Sequence, residues 1–177
     1  MALPVVRLSP DRYSAAEVVQ LLRLEPLPHE GGYYRRTAEA AVDHPGSSPS
    51  RRAYSAIYAL FTPDEFSALH RLNTDEVWCF HAGDPLESLR LSADERGEWV
   101  TLGLNLEAGE RPQDVVPAGV WQGTRLVSGG RWALVSCLMT PEFRWEQFTL
   151  AEPAPLVAAY PEYAEAIREL CRAPSPL

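Results

Sequence analysis

The stretch Ser67–Gly83 carries a histidine and a carboxylate in positions from which they could act together. It reads S-A-L-H-R-L-N-T-D-E-V-W-C-F-H-A-G, a pattern typical of a strand, a tight turn and a second strand. Side chains alternate between the two faces of a strand, so His70 and Glu76 are expected to point into the same concavity. A carboxylate that accepts the imidazole N–H fixes the tautomer of the ring and raises its basicity. The pair therefore indicates proton-transfer chemistry.

Each member of the pair also has other interpretations. His70 is either a hydrogen-bonded core histidine, a general base or a metal ligand. Glu76 is costly to bury in an apolar barrel unless it is paired or protonated, so it is either a site residue or a partner that neutralises an inward-facing arginine. The sequence leaves these alternatives open.

Further candidates for ligand binding come from arginine and aromatic side chains. Arg35 and Arg36 follow Gly31-Gly32 at the start of a predicted strand, where one of the two can point inward and offer a planar fork to a carboxylate or phosphate. Aromatic residues are expected to face inward beside Glu76 and beside Gln122, where they either fill the core or form a stacking wall for a ring-shaped ligand. They are Trp78, Phe80 and Trp121.

Short strands separated by turn signals dominate the elements that must position these residues. They recur at roughly ten-residue spacing, which favours an all-β sandwich or barrel. A helix of about residues 14–24 is predicted at the start, with Ser14 as its N-cap and Glu17 at the capping-box position. A second helix is predicted at about 162–171. The pattern predicts one domain over residues 1–177, with a β-roll over about 30–150.

Two parts of the tail carry separate expectations. An apolar strand is predicted around 143–150, and its aromatic residues spaced among charges at 142–146 favour a dimer contact. A proline-rich link is expected between that strand and the last helix.

Composition excludes several classes of function. The formal net charge is −8 with no basic run, which argues against binding to nucleic acid or to an anionic membrane surface. All 16 basic residues are arginine, so Schiff-base lysine and phosphate-loop lysine chemistry are excluded. Three widely spaced cysteines do not form a disulfide framework or a zinc motif. No signal peptide or membrane span is apparent, so a cytoplasmic location is expected.

Four blocks of sequence together resemble the cupin superfamily. They are P-H-E-G-G-Y-Y-R-R-T, the Ser67–Leu86 stretch, V-P-A-G-V-W-Q and the tail P-E-F-R-W-E-x-F-x-L. In this order they are similar to a little-characterised cupin family grouped with the RmlC-like sugar epimerases, over roughly residues 15–170. The resemblance implies a double-stranded β-helix, or jelly roll, with short terminal helices, which usually assembles as a homodimer.

Only two of the four metal-binding positions of that superfamily carry the expected residue in this sequence. His70 stands at the first histidine position and Glu76 at the glutamate, but Leu72 and Gln122 stand where the other two histidines would be. First-row metals in cupins generally need three or more imidazole or carboxylate ligands. The expectation is therefore a site without a cofactor, with His70, Glu76 and Gln122 as the reduced ligand set if a metal binds.

The resemblance implies an isomerase or epimerase that acts on a polar carbonyl or sugar-like metabolite without a metal. His70 would be the base, Glu76 would orient it, and a tyrosine would act on the opposite face. The candidates for that tyrosine are Tyr33, Tyr34 and Tyr58, with Tyr58 preferred. Two alternatives remain, a non-catalytic cupin that binds a metabolite and a metal-dependent enzyme with the reduced ligand set.

Overall fold

Two antiparallel sheets form the β-roll in the computed structural model, which describes residues 7–94 and 96–171. The first sheet contains β1 (Glu25–Pro26), β2 (Tyr33–Glu39), β3 (Ser55–Phe61), β10 (Ala133–Met139), β5 (Glu76–Gly83) and β8 (Gln113–Val116), in that spatial order. The second sheet contains β11 (Phe148–Leu150), β4 (Ser67–Leu72), β9 (Trp121–Leu126), β6 (Leu86–Leu91) and β7 (Gly97–Leu102). From β3 to β6 and again from β8 to β11, consecutive strands lie in alternate sheets. This topology confirms the predicted all-β jelly roll.

The main core lies between the inner faces of the two sheets. Trp78 on β5 and Phe61 on β3 stack there with ring centroids 5.9 Å apart, and Leu86 and Leu102 pack against them from the second sheet. Strand alternation explains this arrangement, because the buried residues of β5 are Glu76, Trp78, Phe80 and Ala82 while the residues between them are more exposed. The inner face of the roll is therefore apolar apart from a few specific polar groups.

The helices cover the outer faces of the sheets. Helix α1 (Ala15–Leu22) has the predicted capping box, in which Ser14 and Glu17 satisfy each other's backbone N–H groups. Helices α2 (Pro153–Ala159) and α3 (Ala164–Leu170) pack on the second sheet. The predicted proline-rich link contains α2, in which Pro153 occupies the first turn, where proline is tolerated. Among the described helices, none has the length and apolar character needed to cross a bilayer.

The segment before β11 differs from its prediction as a strand. Only Phe148–Leu150 is a strand, and Trp145–Gln147 forms a 3-10 turn. Arg51 explains the turn, because its guanidinium donates to the backbone carbonyl of Glu142 and, at 2.6 Å, to Oε1 of Gln147. These bonds fold the segment over the end of the first sheet. The segment is therefore a 3-10 turn rather than the predicted strand, while its part in a dimer contact stays a prediction.

Gly83, the last residue of β5, lies very close to the backbone that leads into β10. Its φ is +110°, and a Cβ atom there would lie 2.3 Å from the carbonyl oxygen of Trp132. Only glycine can adopt this backbone angle while giving the neighbouring strand this much room. The glycine at the end of the Ser67–Gly83 stretch is thus required by the backbone.

Candidate functional site

A cavity of about 200 Å³ opens at the inner face of the first sheet. Its floor is made of buried side chains from β3, β4, β5 and β10, namely Ser55, Leu72, Glu76, Cys137 and Met139. Its mouth is made of more exposed residues from β1, β2 and the 3-10 segment. Glu25, Arg36 and Trp145 are among them. The cavity is a concave, mostly apolar space with a few convergent polar groups, which is the usual form of a small-molecule site.

Glu76 is the polar group of the cavity floor. Its Oε2 accepts hydrogen bonds from Nε1 of Trp78 at 2.9 Å and from Nε2 of Gln122 at 2.7 Å. Among the described residues, no group donates to Oε1, which belongs to a side chain that lines the cavity. Burial raises the pKa of Glu76, and the nearby carboxyl of Glu30 raises it further. One carboxyl oxygen is thus fixed by two donors, and the other accepts from no group among the described residues.

A chain of buried polar groups continues behind Glu76. Oε1 of Gln122 accepts from Nη1 of Arg90 at 2.8 Å, and Nη2 of Arg90 lies 3.3 Å from the carboxylate of Asp114. Arg111 closes the chain at the surface, 2.9 Å from the other oxygen of Asp114. An arginine can only donate, so the oxygen of Gln122 must face Arg90 and its amide nitrogen must face Glu76. The inward-facing arginine that was considered as a partner of Glu76 is therefore Arg90, but it contacts Gln122, which in turn donates to Glu76.

His70 lies beneath the cavity and is only 1% exposed. Its Nδ1 is 2.7 Å from the carbonyl oxygen of Ala68, and because a carbonyl only accepts, Nδ1 carries the proton. The ring stacks on Phe148 with centroids 4.8 Å apart. Burial lowers the pKa of His70, so the ring is held neutral. Among the described residues, Glu76 accepts no hydrogen bond from it, and the structure does not bring the two together as a hydrogen-bonded pair.

Glu30 is a second carboxyl of this cavity that the sequence analysis missed. It belongs to the loop before β2, and the backbone N–H of Ala68 donates to its carbonyl oxygen at 2.9 Å, tying the loop to β4. The Ser67 hydroxyl donates to Oε1 of Glu30 at 2.7 Å. Burial raises the pKa of Glu30 to about 7 although the Ser67 hydrogen bond works in the opposite direction. The available signal was an acidic residue directly before Gly31-Gly32, where a turn needs positive φ angles.

The raised pKa of Glu30 predicts a pH dependence of stability. The folded protein holds this proton up to about pH 7, whereas an unfolded chain releases it near about pH 4.3. The contribution to stability is therefore complete below the unfolded pKa and is lost as pH rises through the folded one. Relative to Glu30→Gln, the wild-type protein should lose roughly 3 kcal/mol of unfolding free energy between about pH 4.5 and about pH 7.5.

Urea unfolding at several pH values measures this loss directly. The exposed variant Glu39→Gln is the matched control and should track the wild-type protein. Parallel curves for wild type and Glu30→Gln would show that the carboxyl is not perturbed.

Strand alternation places the candidate tyrosines and arginines on opposite faces of the first sheet. Tyr34 and Arg36 line the cavity, while Tyr33 and Tyr58 pack against the cluster under α1 on the outer face of the sheet. Arg35 is exposed on that same outer side of β2. Of the three candidate tyrosines, Tyr34 and not the preferred Tyr58 therefore lines the cavity. Burial, and then the Glu25 carboxylate, raise the pKa of Tyr34, so its hydroxyl stays protonated.

Arg36 already has a partner, which limits its use as an anion clamp. Its Nη1 lies 3.1 Å from the carboxylate of Glu39 in an exposed pair. Exposed pairs of this kind contribute little to stability. Arg36 therefore contributes one charge at the cavity mouth rather than a dedicated fork.

The aromatic side chains predicted as a stacking wall lie elsewhere. Trp78 and Phe80 are core residues, and Trp121 lies outside the cavity with the Arg71 guanidinium 4.7 Å from its ring centroid. Three other rings line the cavity, and we call Tyr34, Phe143 and Trp145 the aromatic rim. Trp145 makes edge contacts with Phe143 at 5.0 Å and with His29 at 5.1 Å, yet it remains 43% exposed. The rim was missed because it depends on the fold of the segment before β11.

The residues present do not fit a metal site of the cupin type. Leu72 supplies no ligand, and the amide oxygen of Gln122 is occupied by Arg90 while its nitrogen faces Glu76. His70 has its ring under the cavity floor. Among the described residues, no group of three or more histidine, cysteine, aspartate or glutamate side chains is arranged to hold a metal ion. The reduced ligand set therefore lacks the geometry that a metal needs.

Comparison with known families agrees with the fold and the motifs. The family described as Cupin superfamily (DUF985) matches residues 16–151. This protein belongs to that cupin family. No protein of curated function matches the sequence.

Two solved structures are similar to this cupin over nearly its whole length. A hypothetical protein from Leishmania major is 33% identical and superposes with a TM-score of 0.81, over 91% of this chain and 100% of that one. A protein from Shewanella oneidensis is 36% identical with a TM-score of 0.82, over 92% and 99% of the two chains.

Distant structures support the fold alone. Oxalate decarboxylase from Bacillus subtilis is 14% identical with a TM-score of 0.52, and the match covers 87% of this cupin and 40% of the decarboxylase. A cupin 2 domain-containing protein from Halorhodospira halophila is 13% identical with a TM-score of 0.54, over 82% and 86% of the two chains. The fold is thus that of cupins.

Proposed function

We propose that this cupin is a metal-independent isomerase or epimerase that moves a proton next to the carbonyl of a small polar metabolite. The observation that carries the proposal is the geometry of Glu76, in which Trp78 and Gln122 hold one oxygen and the other faces the cavity. A general base needs this combination of a fixed orientation and a free lone pair. The raised pKa of Glu76 brings its basicity closer to what proton abstraction at neutral pH requires.

The other cavity residues supply the remaining parts of such a reaction. Glu76 takes a proton from the carbon beside the carbonyl, and the C–H electron pair becomes the double bond of an enol as the carbonyl oxygen is protonated. Tyr34 is the proposed donor to that oxygen, since its hydroxyl stays protonated. Glu30, with a pKa of about 7, can return a proton to carbon at neutral pH. His70, the base suggested by the sequence, is proposed to support the cavity floor by packing and not to transfer a proton.

Hydrogen exchange in deuterated water tests the proposal without a known substrate. A panel of small aldoses, ketoses and aminoketones is incubated with the protein, and NMR follows the signal of the proton beside each carbonyl. The expected result is enzyme-dependent loss of that signal for at least one compound, accompanied by its isomer or epimer. Compounds that bind measurably but exchange no faster than in buffer would count against catalysis.

Non-catalytic metabolite binding is the second candidate. The apolar share of the lining favours it, because Leu27, Ile57, Leu72 and Met139 provide affinity but no chemistry. This function predicts ligand-dependent thermal stabilisation with no product from any ligand. The exchange experiment therefore separates the two candidates.

Assembly and location remain predictions. Several exposed apolar side chains are compatible with a homodimer, among them Val42, Trp99 and Leu106. Light scattering of the purified protein measures the assembly state. Localisation of a tagged protein in its own cells tests the predicted cytoplasmic location.

A further inference from the structure

We propose that the cavity is selective for a small organic cation, with its ammonium group held between the aromatic rim and the carboxylates of Glu25 and Glu30. The remainder of the ligand then faces Glu76 on the floor. This inference names the substrate class of the site proposed above, as a carbonyl compound that also carries an amine. Its catalytic meaning rests on the proposed function, but its binding test does not.

The charge of the lining favours a cation. Three carboxyl side chains, Glu25, Glu30 and Glu76, line the cavity against the single guanidinium of Arg36. Arg36 contributes one positive charge at the mouth, which the Glu39 carboxylate 3.1 Å away partly offsets. Above the Glu30 pKa of about 7, where that carboxyl is ionised, a space with this balance attracts cations and repels carboxylates and phosphates. The cavity thus opposes the anionic ligand that Arg35 and Arg36 suggested from the sequence.

The aromatic rim adds a second feature that recognises an ammonium group. Cations bind over aromatic faces because the ring quadrupole is negative there, and quaternary ammonium groups are recognised in this way. Trp145 is held by ring contacts to Phe143, His29 and Phe148 at 5.0–5.4 Å, and it is still 43% exposed. A ring that is fixed in position but accessible is suited to contact a ligand at the mouth.

An independent sign of a ligand comes from the floor. Glu76 is only 8% exposed, yet among the described residues nothing donates to its Oε1. An acceptor that faces the cavity without a partner from the protein can take a hydrogen bond from an N–H or O–H group of a ligand. The floor therefore offers a hydrogen-bond acceptor at the depth at which the proposed chemistry occurs.

Three probes of equal shape and different charge test the proposal. They are choline, its neutral carbon analogue 3,3-dimethyl-1-butanol, and the anion 3,3-dimethylbutanoate. Saturation-transfer NMR and titration are carried out at pH 8, where Glu30, with a pKa of about 7, is ionised. We expect choline to bind with a millimolar or lower Kd and at least about tenfold tighter than the neutral analogue. No binding of the anion is expected.

Matched variants show whether the cavity is responsible. Glu30→Gln should weaken choline binding by about tenfold and leave the neutral analogue unchanged, since only the charge is removed. Trp145→Leu should weaken choline while keeping an apolar side chain at the mouth. Glu98→Gln removes an exposed carboxylate on β7 of the other sheet and should change nothing.

Three outcomes with the wild-type protein would overturn the proposal. They are equal binding of choline and its neutral analogue, preferential binding of the anion, or no choline binding up to about 50 mM. A loss of choline binding in Glu98→Gln but not in Glu30→Gln would also overturn it by moving the site elsewhere. Choline has no carbonyl and cannot undergo the proposed reaction. Its binding can therefore fail while deuterium exchange succeeds, or the reverse, and the two proposals are judged separately.

Discussion

Glu76→Gln is expected to reduce the deuterium-exchange rate by about 10²–10⁴-fold, the usual contribution of a general base. The substitution is nearly isosteric. The amide oxygen can take the place of Oε2 and accept from both Trp78 and Gln122, while the amide nitrogen occupies the position that faces the cavity. The variant therefore keeps the shape of the site and removes only its basicity. NMR exchange rates with any compound that the wild-type protein processes measure the effect.

Two companion variants make this expectation specific. Glu98→Gln should retain the full exchange rate, because Glu98 is exposed on β7 away from the cavity. His70→Gln should lower stability more than the exchange rate, because the His70 ring packs under the floor against Phe148. If Glu76→Gln keeps its rate and His70→Gln loses it, the base is the histidine after all and the proposed assignment is wrong.

Arg90→Met is expected to destabilise the fold by about 3 kcal/mol, near the lower end of the range for breaking a buried ion pair from one side. Arg90 has a side chain that is only 4% exposed, and it serves both Gln122 and Asp114. Methionine fills similar space but leaves the oxygen of Gln122 without a donor. Arg111 still neutralises Asp114 from the surface, which keeps the expected loss from being larger. Urea unfolding gives the free-energy difference.

The control for this variant is another arginine with two carboxylate partners. Arg131 contacts Asp11 at 2.8 Å and Asp84 at 3.2 Å, but its side chain is 52% exposed. Arg131→Met should therefore cost about 1 kcal/mol or less. Equal effects at the two positions would show that the chain behind Glu76 adds no more to stability than a surface pair.

Local patterns in the sequence were sufficient to predict the fold and the residues of one wall of the site. Alternation on β4 and β5 predicted that His70 and Glu76 point inward, and both are buried. Alternation also predicted that only one of Arg35 and Arg36 could face the cavity, and Arg36 does. The capping box of α1 was readable because all its partners lie within three residues. These features depend on neighbours in sequence, so periodicity and residue type are enough to predict them.

The hydrogen-bonding partners of Glu76 and His70 could not be predicted in the same way. Alternation gives the face of a strand on which a side chain lies, but not its depth or what stands opposite. The expected His70–Glu76 hydrogen bond was replaced by Ala68 as partner of His70 and by Trp78 and Gln122 as partners of Glu76. Gln122 is 46 residues from Glu76 in sequence. Which of several nearby polar groups pairs depends on strand register and packing, which are properties of the whole roll.

The sequence by itself determined that this protein is a β-roll with inward-facing His70 and Glu76, because strand periodicity and turn residues act over a few positions. Only the tertiary structure decided that Glu30 and Trp145 share the cavity with Glu76. Glu30 is placed by backbone contact with β4, and the segment of Trp145 by Arg51, whose partner Gln147 is 96 residues away. The positions of such loops are determined by long-range hydrogen bonds rather than by local conformational propensity. The acidic and aromatic character of the cavity therefore arises when distant segments meet.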